Sequence, residues 1–191
     1  MGKRAGNAIW LRDVLDEVGK DAIRYHFVMR RADAQMEFDL ELATKKSLDN
    51  PVYYAQMGHA RLCAIRRKAE AENIERPQLA RSSLDALLLP EELSLIKTLA
   101  NAPEVIAEAA SAYEPHKVVY FIQDLIALFH SYYSKYKGAE RVISDDENKT
   151  KARLLLCQAL ELSLKRLLEV LGVSAPEEMY LSDVEQQEGQ P

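Results

Sequence analysis

The sequence predicts an all-α protein, built as a bundle of six to eight helices. Its 191 residues include only 7 glycines and 7 prolines, so turn-forming residues are scarce. Alanine and leucine, which favour helices, are abundant, and apolar residues recur at helical spacing along most of the chain. A β-sandwich, a barrel or a glycine-rich nucleotide-binding sheet is therefore not expected.

Four helices are predicted in the N-terminal part of the chain. Gly19 ends the first, Asp21 can cap the second, and Asn50 followed by Pro51 gives the clearest helix start in the sequence. The four helices are expected at residues 11–18, 22–29, 39–48 and 51–72.

Four more helices are predicted after a linker over residues 73–90. Pro103 and Pro115 stand at the first positions of two of them, and Gly172 ends the last. These helices are expected at residues 91–100, 103–113, 115–137 and 149–171, with a charged loop over 138–148. In the last helix the side chains expected to face inward are those of Leu155, Leu156, Ala159, Leu167 and Leu171.

Charge and cysteine content narrow the class of partner. The net charge is −5, and it divides into +4 over residues 1–68 and −9 over residues 69–191. This balance argues against binding to long DNA duplexes but allows a local anionic partner.

Cys63 and Cys157 lack zinc-ligand spacing and are expected to be core residues in a reducing cytosol. No apolar run reaches the ~20 residues that a membrane span needs, so we expect a cytoplasmic protein without a membrane partner.

Two segments carry residues suited to binding, although no self-contained active site is evident. The glycines and the Lys-Arg pair within residues 1–7 suit a phosphate. Residues 50–61 place Tyr53, Tyr54 and Arg61 on one helix, and flat rings beside a guanidinium suit unstacked RNA bases. An alternative interpretation, equally open from the residues alone, makes the tyrosines core residues and leaves Arg61 on a solvated face.

Ordered motifs along the chain resemble the C-terminal half of the arginyl-tRNA synthetases. They are the opening loop, the helix that follows it, the Asp21-Ala22-Ile23-Arg24 block, residues 38–43, the helix running from Asn50-Pro51 to His59-Ala60-Arg61, and the closing residues 171–179. The resemblance implies an all-helical bundle of the class I synthetase anticodon-binding type, named DALR after the third of these motifs. It divides the chain into a remnant of an ATP loop (1–10), a connector that contacts the tRNA stem (11–48), the DALR bundle (49–180) and an acidic tail (181–191).

The opening loop resembles the end of the KMSKS signature of class I synthetases. The resemblance implies that Lys3 neutralises ATP phosphates in a parent arginine–tRNA ligase, which uses ATP and Mg²⁺ to form an arginyl-adenylate. The HIGH motif and the nucleotide-binding sheet would lie upstream and are absent from this sequence. We therefore expect no adenylate formation, and no cofactor, for this chain alone.

The resemblance also implies which residues meet the tRNA. Arg61 and Arg67 match arginines that contact nucleotides of the anticodon loop, and Tyr133 matches a tyrosine that stacks in the anticodon pocket. Met179 matches a methionine lining that pocket. Met57 stands where the family commonly has a tyrosine, and its thioether can still pack against a base. The implied partners are the anticodon loop and stem of tRNA(Arg) and the catalytic domain, with the protein a monomer.

Two features depart from the family pattern. Glu178 replaces the usual arginine, and the chain continues past Met179 into a tail bearing Asp183, Glu185 and Glu188, which either repels the anticodon or is inert. The alternative function is that of a freestanding helical adaptor, which would use the helix around Arg61 to bind a protein partner.

Overall fold

The structure is a computed structural model that describes residues 10–79, 84–136 and 138–179. Within these ranges it contains seven α-helices, one short 3₁₀ helix at Gly138–Glu140 and no strand, which confirms the all-α prediction. The α-helices are α1 (Leu11–Val28), α2 (Leu40–Thr44), α3 (Pro51–Ala71), α4 (Pro90–Ala100), α5 (Ala102–Ala112), α6 (His116–Lys135) and α7 (Glu147–Val170). No helix of the described residues is long and apolar enough to cross a membrane.

Local signals in the sequence set most of the helix ends. Gly19 adopts φ 79° and ψ 161°, so α1 consists of two segments separated where the sequence predicts a break. The Asn50 side chain accepts a hydrogen bond from the Val52 N–H at 3.3 Å, which confirms the predicted cap of α3. Gly172, with φ 69°, ends α7 in the left-handed conformation typical of a helix C-terminus.

The predicted cap at Asp21 is wrong. One carboxylate oxygen, Oδ2, accepts hydrogen bonds from the Ser174 N–H at 3.1 Å, from the Ser174 hydroxyl, and from Gln56 Nε2 at 3.1 Å. The other oxygen, Oδ1, is buried and accepts none from the described residues. Asp21 thus joins α1 to α3 and to the chain that follows α7 in place of capping its own helix.

The core lies between α3, α6 and α7. Helices α4 and α5 pack on α6, while α1 contacts α3 and α2 packs against α1. The largest fully buried apolar side chains are Leu62, Leu95, Ile122, Leu125, Ile126, Phe129, Leu160, Leu164 and Leu167. The predicted core role of Cys63 and Cys157 is confirmed, because both are buried free thiols.

The predicted inward face of the last helix is only partly correct. Leu156, Leu167 and Leu171 are buried, but Ala159 is exposed and Leu155 is half-buried. Leu160 and Leu164 take their place, because steps of three and four residues from Leu156 lead through them to Leu167.

Candidate nucleic-acid interface

A groove of about 470 Å³ opens between α3, the end of α6 and the segment after it. We call it the α3–α6 groove. Three cationic and two tyrosine side chains line it together with small and apolar residues. The full lining is Arg61, Ala64, Ile65, Lys68, Tyr133, Tyr136, Gly138, Arg141, Val142 and Ile143.

The α3 wall is one face of the helix. Arg61, Ala64, Ile65 and Lys68 follow at steps of three, four and seven residues, so their side chains point to the same side. Arg61 is half-buried and Lys68 is exposed. The wall therefore presents a cation at each end of a short apolar strip.

The α6 wall is made of two tyrosines. Tyr133 is 42% exposed and its ring lies 5.8 Å from that of Phe129, so one face is supported by the core. The Tyr136 hydroxyl donates a hydrogen bond to Glu91 of α4 at 2.6 Å. Hydrogen bonds from Lys135 and Tyr136 lower the pKa of Glu91 to about 2, so its carboxylate stays ionised and keeps Tyr136 in place.

The third wall is the segment between α6 and α7. Val142 is buried and anchors the segment, while Arg141 beside it is exposed. The far end of the segment is fixed by Thr150, whose hydroxyl accepts from the Ser144 N–H and donates to the Ser144 carbonyl, both at 3.0 Å.

A neutral histidine lies beside Arg61. The His130 ring packs edge-on against Tyr54 with centroids 5.3 Å apart. Burial, with a smaller contribution from the Arg61 charge, lowers the pKa of His130 to about 4. His130 is therefore uncharged near neutral pH, and the positive charge at this place belongs to Arg61.

The chain after α7 folds back along α3. We call residues 174–179 the C-terminal strap. Gln56 Nε2 donates to the Ser174 carbonyl at 3.1 Å, His59 Nδ1 lies 2.9 Å from the Pro176 carbonyl, and Arg66 Nη2 lies 3.0 Å from Glu177 Oε2. The strap thus follows α3 for about three turns.

The strap holds Arg67, one of the predicted RNA contacts. Arg67 Nη1 donates to the Glu177 carbonyl at 2.9 Å and lies 3.7 Å from Glu178 Oε1. At 3.6 residues per turn, Arg67 stands about 120° around α3 from Arg61. The structure therefore places Arg67 beside the strap, which ends in the half-buried Met179, and not in the groove with Arg61 and Tyr133.

The remaining predicted residues are placed as follows. Met57 is 6% exposed and offers almost no surface to a ligand. Tyr53 is buried and Tyr54 half-buried, so on this helix the core interpretation of the tyrosines holds. Lys3 and the tail acids Asp183, Glu185 and Glu188 lie outside the described residues.

Sequence reasoning missed three groove residues. Lys68 stands seven residues after Arg61, and Tyr136 stands three after Tyr133, so helical spacing was a sufficient signal for both. Arg141 lies in a loop, and no periodicity in the sequence indicates that it lines the same groove as α3.

One cluster has the side chains of a metal site. Ligand atoms of His59, Cys63 and Glu161 lie within 4.8 Å of one another. However, Arg66 Nε donates to Glu161 Oε1 at 3.1 Å, so this carboxylate is already paired with the Arg66 guanidinium. Burial and the charge of Glu161 raise the pKa of Cys63 to about 11, whereas a metal needs the thiolate. We interpret the cluster as a packed polar contact.

Comparison with known families decides the assignment. The model of the DALR anticodon binding domain matches residues 55–179, which include most of α3, all of α6 and α7, and the strap. The chain belongs to this family. The DALR domain therefore supplies both the helices that line the groove and the segment that holds Arg67.

Relatives that match nearly the whole chain share one name, arginine–tRNA ligase. The chain is 49% identical over 179 residues to an arginine–tRNA ligase of Syntrophotalea carbinolica, covering 94% of this chain and 32% of that protein. It is 51% identical over 180 residues to an arginine–tRNA ligase of Anaeromyxobacter dehalogenans, covering 94% and 30%. The chain thus spans about a third of the length of these relatives.

A solved structure shares the fold. The arginyl-tRNA synthetase of Thermus thermophilus aligns with a TM-score of 0.70 and 28% identity, over 93% of this chain and 29% of that one. The prediction of a helical bundle of the synthetase type is therefore confirmed.

Proposed function

We propose that this DALR domain binds the anticodon loop of tRNA(Arg) in the α3–α6 groove. The observation that carries the proposal is the lining of the groove, in which Arg61, Lys68 and Arg141 surround Tyr133 and Tyr136 with no carboxylate among the described lining residues. The names of the relatives, arginine–tRNA ligases, support the choice of tRNA.

The groove offers what an unpaired loop requires. Bases in a tRNA loop can leave the stack and pack on an aromatic face, and each such contact contributes about 1–3 kcal/mol. Tyr133, exposed on one side and supported by Phe129 on the other, provides such a face. Arg61 offers a planar fork to a base edge or a phosphate, and Lys68 and Arg141 are placed for the backbone phosphates.

Residues on the strap side form the second part of the proposed interface. Arg67 and Met179 would contact loop nucleotides that extend beyond the groove, as the resemblance implies. Arg67 is partly engaged by Glu177 and Glu178, so its guanidinium exchanges these partners for phosphate on binding. Met57 is 6% exposed, so we expect no direct contact between its side chain and a base.

The wider activity is proposed by relation to the longer relatives. The parent protein would be an ATP- and Mg²⁺-dependent arginine–tRNA ligase acting as a cytoplasmic monomer. Lys3 would hold ATP phosphates, and residues 11–48 would contact the tRNA stem. ATP bound there would supply the adenylyl group that activates arginine.

A freestanding helical adaptor is the less favoured function. The family match is to an anticodon binding domain, and a relative named arginine–tRNA ligase matches 94% of the chain, an extent for which an adaptor gives no reason.

Fluorescence anisotropy with an arginine anticodon stem-loop tests the proposal. We expect preferential binding over a loop-scrambled control at moderate salt, and a loss of about tenfold or more on Arg61→Ala. Arg166→Ala, at an exposed arginine of α7, is the matched control and should bind like the wild type. Equal binding to both RNAs, or equal effects of the two substitutions, would refute the proposal.

A further inference from the structure

A buried ion pair lies behind the α3–α6 groove. Arg153 of α7 is 1% exposed and Glu92 of α4 is 0% exposed, and Arg153 Nε lies 2.7 Å from Glu92 Oε1. Removing two charges from water is costly, and hydrophobic residues of similar size often stabilise a fold equally well or better. The contribution of the pair to stability is therefore a weak explanation for its presence.

The guanidinium of Arg153 extends from this pair into the groove wall. Its Nη1 donates to the Arg141 carbonyl at 3.2 Å, and its Nη2 is hydrogen-bonded to the Glu140 carboxylate. Glu140 is held in turn by Lys149 Nζ at 2.8 Å. The rigid fork of one buried arginine thus fixes the backbone at the residue whose side chain lines the groove.

The carboxylate of Glu92 connects the same pair to the opposite wall. Glu92 Oε1 accepts from the Tyr132 hydroxyl at 3.2 Å, and Oε2 accepts from the Leu89 N–H at 3.0 Å. Tyr132 immediately precedes Tyr133. The orientation of α6 at its stacking tyrosine and the path of the chain at Arg141 therefore depend on one buried polar network.

We propose that Arg153, paired with Glu92, is a positioning residue that holds residues 138–143 against α6 and so sets the shape of the RNA-binding groove. The proposal rests on the function proposed above for that groove. Arg153 itself does not reach the groove, since it is buried and is not among the lining residues.

The double variant Glu92→Leu/Arg153→Met tests this role without leaving one buried charge alone. We expect it to keep its helical circular dichroism and to melt somewhat below the wild type, because the Tyr132 hydroxyl and the Leu89 N–H lose their acceptor. Amide hydrogen exchange over residues 138–146 should accelerate by about tenfold or more while the centres of α3 and α7 remain protected. Affinity for the anticodon stem-loop should fall by about tenfold.

Two further variants keep the test decisive. Arg166→Met/Glu169→Leu makes the same change at an exposed pair of α7 and should alter neither readout. Arg153→Lys keeps the charge but loses the fork, so it should reproduce the local exchange change even if the double variant does not fold.

Unchanged exchange over residues 138–146 would overturn the proposal, as would a uniform acceleration in all helices, which indicates a merely structural role. If the wild type does not bind the RNA, the function proposed for the groove is wrong. The exchange measurement still decides whether Arg153 positions the wall.

Discussion

Gly58 of α3 lies directly against the side chain of Ile126 of α6. A methyl group added at Gly58 would stand 2.9 Å from Ile126 Cγ1, closer than packed carbon atoms tolerate. Gly58 precedes Arg61 by one turn and Ile126 precedes Tyr133 by two turns. This close crossing therefore fixes how far apart the cationic and aromatic walls of the groove stand.

Gly58→Ala should destabilise the protein by about 1–3 kcal/mol, because the added methyl overpacks a buried contact. Urea unfolding followed by circular dichroism measures the change. In an Ile126→Ala background the clash is absent, and alanine is favoured over glycine in a helix by about 1 kcal/mol. The effect of Gly58→Ala should then disappear or become stabilising, and an equal cost in both backgrounds would show that the contact does not matter.

Glu178→Gln should strengthen binding of the anticodon stem-loop by about two- to fivefold at low salt. The substitution removes a negative charge 3.7 Å from Arg67 and frees that arginine for phosphate. Titrations at two salt concentrations measure the effect, which should shrink as salt rises. Glu169→Gln, a matched change at an exposed glutamate of α7, should leave the affinity unaltered. A decrease for Glu178→Gln would contradict the role proposed for Arg67.

Arg141→Ala should weaken binding mainly by removing a phosphate contact. The slope of log K against log salt should become shallower by about 0.7, the amount for one contact to a single strand. Binding of the scrambled loop should weaken in parallel, since a phosphate contact carries no sequence information. An unchanged slope would mean that Arg141 does not touch the RNA.

His130 should make the protein less stable as the pH falls below 6.5. Burial lowers its pKa from 6.5 to about 4, so the unfolded chain takes up a proton in this range before the folded one does. The stability contributed by neutral His130 is complete above pH 6.5 and is lost progressively between pH 6.5 and about pH 4. In that range the free energy of unfolding should fall by up to about 1.4 kcal/mol per pH unit.

His130→Phe removes the titrating group while keeping a ring against Tyr54, and it also removes a buried nitrogen, Nε2, that has no hydrogen-bond partner in the described residues. Urea unfolding at several pH values should show a smaller slope between pH 6.5 and 4 than for the wild type. The same slope in both proteins would assign the pH dependence to other groups, such as His26, whose pKa burial also lowers.

Local sequence signals predicted most of the helices because their causes are local. The glycine at position 19, the Asn50-Pro51 start and the glycine at 172 act within a few residues of where they stand. The family resemblance predicted the groove residues Arg61 and Tyr133, and the helical period leads from them to Lys68 and Tyr136.

Long-range polar contacts could not be predicted in this way. Glu92 and Arg153 are 61 positions apart, and each lies on a helix where a charged residue is ordinarily solvated. The residues around Asp21 predicted a helix cap, yet its hydrogen-bond partner Ser174 lies 153 positions away. Pairings of this kind depend on how the helices pack and leave no period or spacing in the sequence.

The most direct test of the groove as an RNA site compares two tyrosines of α6. Tyr133 is 42% exposed in the groove, and Tyr120 is 45% exposed on the same helix outside it. We predict that Tyr133→Ala weakens binding of the arginine anticodon stem-loop by about 1–3 kcal/mol with little change in melting temperature, while Tyr120→Ala leaves binding unchanged. Equal affinities for the two variants, or a weakening explained by unfolding of Tyr133→Ala, would contradict the account.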